Sequence, residues 1–118
     1  MAIAVKKYLD VVGQLIDDGK NVKGVTKRVV IGKDEGAENF YMRVFTLEPE
    51  GFTPKHTHEW EHEVFVLNGE GVVYTSEGEI PLCGGDTVFV PAGEIHQFRN
   101  VSSDNDMEFI CVIPKYGQ

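Results

Sequence analysis

From Val25 onward, apolar residues come in short runs broken by glycine, proline and small polar residues. Val25–Gly32 (VTKRVVIG) is β-branched and bounded by glycine, the composition of a strand. Asn39–Leu47 (NFYMRVFTL) is aromatic-rich and runs into Pro49 and Gly51, which predict a turn. Further strand-like runs follow at His62–Leu67, Gly71–Ser76, Glu79–Cys83, Thr87–Pro91, Ile95–Val101 and Met107–Pro114. They are separated by NGEG, EG, GGD, AGE and the polar stretch SSDND. Runs of about 4–8 residues with turn signals every ~8–12 predict an all-β sandwich or barrel. That barrel occupies residues 25–118, with residues 1–24 as an N-terminal arm. In the arm, Val5, Tyr8, Leu9, Val12 and Ile16 fall on one helical face, but Gly13 interrupts them. VKKYLDVV suits an extended strand equally well, so both readings stay open.

Composition narrows the function. The 118 residues are 42% hydrophobic and 25% charged, which is the balance of one folded domain. Eleven Lys and Arg stand against nineteen Asp and Glu, a net charge of −8. Such a chain repels phosphate backbones and anionic lipid, so nucleic-acid and membrane-surface partners are not expected. No run approaches the ~18 apolar residues of a membrane span. MAIAVKKYLD lacks the sustained apolar stretch of a signal peptide, so a cytoplasmic location is expected. Cys83 and Cys111 are too few for a disulfide scaffold and read as free thiols. The sequence also lacks a G-x-S-x-G elbow, a P-loop lysine motif and a dinucleotide fingerprint.

The four histidines are the most informative residues. His56, His58 and His62 fall in PKHTHEWEHEVFV, and His96 falls in PAGEIHQF. Separations of two and four put the first three on one face of an extended chain, provided that the intervening EWE preserves strand parity. His96 would come from an opposing wall. A single histidine is ordinarily a satisfied core or surface residue, but four in this spacing predict a metal cage, imidazole being the commonest protein ligand.

These residues carry a family resemblance. The segment GDTVFVPAGEIHQFRN, with Gly85, Pro91, Gly93, His96 and Asn100, matches every fixed position of the second motif of the cupin superfamily. Gly51, His56, His58, Glu63 and Gly69 match the first motif, with both glycine spacings one residue short. The chain thus resembles a small single-domain cupin, which implies a double-stranded β-helix or jelly-roll barrel. Most metal cupins use three histidines and one glutamate. Here His-x-His-x-x-x-His resembles a subgroup whose metal is held by four histidines. Parity favours His62, since +4 keeps the face of His58 and +5 turns outward unless a bulge intervenes. Glu63 is the alternative ligand.

The resemblance implies one divalent transition metal per chain, with Mn or Fe favoured and Ni, Co, Cu or Zn as alternatives. Four neutral imidazoles leave the ion its full charge, so the site attracts anionic oxygen donors. Parity places Phe98 beside His96, and Phe109 and Cys111 on the inner face of MEFICVIP. Cys111 reads first as a small buried hydrophobe and second as a reactive thiol. Arg43 would clamp an anionic substrate or form a structural ion pair; the pattern does not decide. The resulting expectation is a small oxidoreductase, dioxygenase- or peroxide-using, acting on a small organic molecule. The alternatives are a non-redox lyase or isomerase, and a metal-dependent binding protein without turnover. Unpaired barrel edges and the family likeness imply a homodimer.

Overall fold

A computed structural model describes residues 2–117. Nine strands follow in order: β1 (Gln14–Ile16), β2 (Lys23–Ile31), β3 (Phe40–Phe52), β4 (His62–Asn68), β5 (Glu70–Thr75), β6 (Gly78–Cys83), β7 (Thr87–Val90), β8 (Gln97–Asn100) and β9 (Met107–Pro114). Among the described residues helix is confined to single 3-10 turns at Tyr8–Asp10, Lys33–Glu35 and Lys115–Gly117. Among the described residues no helix is long and apolar enough to cross a membrane.

All nine strands join one sheet in the order β6-β5-β8-β3-β9-β4-β7, with β2 on β3 and β1 on β2. The sheet curls into a barrel. Its two ends meet in one core, because Leu82 of β6 and Val90 of β7 pack into the same cluster as Leu47, Val66 and Phe109 from the middle strands. The alternation on β9 shows why. Met107, Phe109, Cys111 and Ile113 are buried at 0–2% exposure, while the residues between them are partly exposed. Each such apolar side chain contributes about 1.5–3 kcal/mol on burial.

Two departures from the sequence expectation bear on the site. The turn expected at Pro49 and Gly51 is instead a bend inside a continuous β3. Glu50 takes φ 63°, and a Cβ on Gly51 would lie 2.8 Å from the Lys23 carbonyl oxygen and 2.9 Å from that of Glu48. Only glycine permits this approach, which turns the chain so that Phe52 pairs with both Lys23 and Arg99 and leads towards His56. The N-terminal segment forms neither a long helix nor a long strand. After the turn at Tyr8, β1 adds to β2 with Ile16 opposite Val25, while the Tyr8 hydroxyl donates to Glu108 and Arg28 donates to the Val11 carbonyl.

Candidate metal centre

The histidines converge through loops rather than along one strand. Residues 57–61 are not extended ladder, and β4 begins only at His62. His96 is not on an opposing wall: its N–H donates to the His56 carbonyl (3.1 Å) and the His56 N–H donates back (3.2 Å). Gly93, at φ 81°, donates its N–H to the His58 carbonyl at 2.8 Å. The turn between Pro91 and His96 is therefore stitched to the His-x-His segment by backbone bonds alone. Asn100 anchors the far end of β8. Its buried Nδ2 lies within 3.1 Å of the Leu47, Glu48 and Asn105 carbonyls, and its Oδ1 accepts from the Ser102 N–H. This explains the motif asparagine as a brace for the β3 bend.

His56, His58 and His96 offer ring nitrogens that all lie within 4.8 Å of one another. His62 stands against His58, with 2.5 Å between their Nε2 atoms, and its ring centroid is 5.3 Å from that of His96. Three of the rings are oriented from behind. His58 Nδ1 faces the Trp60 carbonyl at 3.1 Å, His96 Nδ1 faces the Glu94 carbonyl at 2.9 Å, and His62 Nδ1 faces the Cys111 Sγ at 2.9 Å. The carbonyl acceptors at Nδ1 of His58 and His96 fix the tautomer and leave the Nε2 lone pairs free, which is the arrangement metal-ligating imidazoles adopt. The donor set therefore fits a divalent transition metal.

Electrostatics agree. Burial, reinforced by the neighbouring rings and Arg43, pushes His56 down to about 4 and His62 down to about 3, and burial also lowers His58. These imidazoles are neutral near pH 7, the state a metal requires. The Trp60 ring lies flat on His58, with centroids 4.5 Å apart at 0°, and its surface is so close to Gly117 that a Cβ there would sit 2.8 Å from the indole.

The histidines form one wall of a cavity of about 220 Å³. Arg43, Phe98, Phe109 and Cys111, the four pocket candidates from parity, all line it and are all buried. Arg43 and Cys111 are register partners on β3 and β9, so Arg43 Nη2 donates to Cys111 Sγ at 3.1 Å. Burial pushes the Cys111 thiol up, against the pull of Arg43. Glu63, the alternative ligand, is exposed on the other face of β4, pairs with Phe89 and Val112, and does not line the cavity. Arg43 has no carboxylate partner among the described residues, so the structural ion pair does not form.

Sequence reasoning missed several contributors. Lys27 lines the cavity on the face of β2 shared with Val25 and Val29, and the same alternation applied to VTKRVVIG would have found it. Ile16 and Val22, from the presumed arm, also reach the cavity. The helical spacing that included Ile16 pointed to a face that does not form, since Ile16 pairs with Val25 on β1, and Val22 stands alone among polar residues and glycines. The Trp60 stack depends on a loop, which periodicity does not describe.

Comparison with known proteins agrees with this geometry. Residues 43–113 match the Cupin domain family. An oxalate-binding protein of Thermotoga maritima is 37% identical over 68 residues, covering 57% of this chain and 55% of that protein. An auxin-binding protein of Nicotiana tabacum is 22% identical over 115 residues, covering 88% of this chain and 62% of that protein. The matches thus extend over less than two thirds of either curated relative. Among solved structures, the polyketide cyclase RemF of Streptomyces resistomycificus superposes with a TM-score of 0.87 at 30% identity, covering 96% of this chain and 80% of that one. A predicted oxalate decarboxylase of Thermotoga maritima gives 0.82 at 27% identity, covering 95% and 99%. With barrel, motif residues and family match in agreement, the chain belongs to the cupin domain family.

Proposed function

We propose that the protein is a metal-dependent enzyme acting on a small organic molecule. One divalent transition metal per chain, Mn or Fe in the first instance, would be held by His56, His58, His62 and His96. The observation that carries this reading is the pair of carbonyl acceptors behind His58 and His96, which hold the proton on Nδ1 and leave Nε2 free on those rings, beside His56 and His62. When bound, such an ion supplies a Lewis-acidic centre and, for Mn or Fe, a redox couple. The chain's own residues supply the rest. Phe98 and Phe109 give the cavity apolar walls, and Arg43 would orient an anionic group beside the imidazoles.

The first form of this reading is an oxidoreductase that uses dioxygen or a peroxide. A non-redox lyase or isomerase is the second, favoured by the names of two similar structures, a polyketide cyclase and a predicted oxalate decarboxylase. Dioxygen uptake across candidate acids, with Mn²⁺ or Fe²⁺ supplied, separates them: uptake with product supports the first, product without uptake the second. Binding with neither would leave a ligand-binding cupin. Elemental analysis of untagged protein tests the metal itself, and absence of a transition metal after reconstitution overturns the proposal. A homodimer remains part of this reading, supported by the exposed apolar side chains of Ile3, Val5 and Val12 in the N-terminal segment and of Phe65 and Phe89 on the barrel.

A further inference from the structure

The cavity holds two cations and no carboxylate. Arg43 reaches it from β3 and Lys27 from β2. The ion pairs among the described residues are Lys6–Glu35 and Arg99–Glu79, so neither cavity cation has an acidic partner there. Arg43 is nine-tenths buried, yet its Nε has no hydrogen-bond partner. The guanidinium offers five N–H donors in a planar fork, and its one hydrogen bond among the described residues goes to Cys111 Sγ. Its remaining support is the Phe45 ring, whose centroid is 5.0 Å away. Lys27 is pulled below the usual lysine range, first by burial and then by repulsion from Arg43.

A fold that needed Arg43 and Lys27 only for packing would pair them or replace them with apolar residues, because buried unpaired charge opposes folding. A bound anion removes that conflict. One sulfur atom separates the Arg43 guanidinium from the His62 ring, so this charge lies next to the imidazoles. The cavity, of about 220 Å³, has room for a small organic molecule rather than a polymer. Val25, Phe45, Phe98 and Phe109 make most of the remaining wall apolar.

We propose that Arg43 and Lys27 form an anion subsite, and that the substrate is a small organic acid with two anionic oxygen groups a few carbons apart. Resting on the function proposed above, one group would face the metal held by the histidines and the other the guanidinium and ammonium. A monoanion satisfies one end only, and a neutral amide satisfies neither.

Malonate, acetate and malonamide are titrated calorimetrically into wild-type protein, metal-free and Mn²⁺-reconstituted, and into Arg43→Gln and Lys27→Met. Lys27 is only half-buried, so its variant is the more certain to fold. Malonate is expected to bind the Mn²⁺ protein, with acetate much weaker and malonamide silent. Each substitution is expected to weaken malonate by about tenfold or more, the loss of a charge-assisted contact, with metal content unchanged. Equal binding of malonamide and malonate by the wild type overturns the proposal without any variant. So does undiminished malonate binding in Lys27→Met and Arg43→Gln, or no malonate binding to either form. Charge-dependent binding to a protein that retains no metal leaves the subsite standing and sinks the metal reading. Retained metal without charge discrimination does the reverse.

Discussion

Cys111 Sγ lies 2.9 Å from Nδ1 of His62. His58 and His96 are backed by carbonyl oxygens, but His62 is backed by a sulfur that also accepts from Arg43. The register explains the meeting. Cys111 pairs with Val64 on β4, two residues beyond His62 on the same face. Sulfur is a weak acceptor, and this one stands between the Arg43 guanidinium and the His62 ring, so it ties the two together by position. Cys111→Ala is expected to weaken metal binding by about 10–100-fold, the usual cost of losing such a partner, while Cys111→Ser keeps most of it. Competition with a chelator measures both. Unchanged affinity in Cys111→Ala would reduce the contact to packing.

The ligand choice has its own test. His62→Ala is expected to lower bound metal well below one ion per chain, and Glu63→Ala to leave it unaltered, because Glu63 faces the outer groove with Phe65 and Phe89. Metal-to-protein ratios after gel filtration decide it. A site emptied by the glutamate change and not by the histidine change would reverse the assignment.

Acid should destabilise the metal-free protein. His56 and His62 fall from 6.5 to about 4 and about 3. Between those values the unfolded chain binds more protons than the folded one, so stability rises with pH. The contribution is present above pH 6.5 and is lost as pH falls towards 4 and 3. The Tm of metal-free protein is expected to drop across that window, and His62→Gln to flatten the drop. A Tm independent of pH from 7 to 4 would mean that the rings are solvated rather than buried.

Gly51 links stability to the site. Its added Cβ would meet two backbone oxygens that have no freedom to move aside. Gly51→Ala is expected to cost about 1–3 kcal/mol in urea unfolding, the range for overpacking. It should also loosen metal retention, since the β3 bend leads directly to His56. A variant as stable as wild type would show that β3 relaxes without penalty.

Assembly is tested by light scattering. The expected particle has twice the 13.2 kDa chain mass. A single-chain particle at micromolar concentration would refute the homodimer. Phe89, 59% exposed on the outer face, is the position where an aspartate should shift a dimer towards monomer.

Much of this protein is legible in its letters because alternation is a local property. Met107–Pro114 was bounded to the residue, and parity put Phe98, Phe109 and Cys111 inside, since each backbone step flips the side chain whatever the rest of the chain does. The histidine motifs likewise identified the segments whose imidazoles come together. Parity had less authority at His56, His58 and His62, where the chain leaves the ladder between residues 57 and 61.

The sequence by itself determined the succession of strands from residue 25 onward, the inner faces and the identity of the imidazoles. Tertiary structure alone decided that His96 is zipped to His56, that Trp60 stacks on His58, and that Arg43 and Lys27 share one cavity without an acid between them. The reason is physical. Alternation is set by the backbone of neighbouring residues, whereas hydrogen bonds, stacking and uncompensated charge depend on which distant segments the curled sheet brings within a few ångströms.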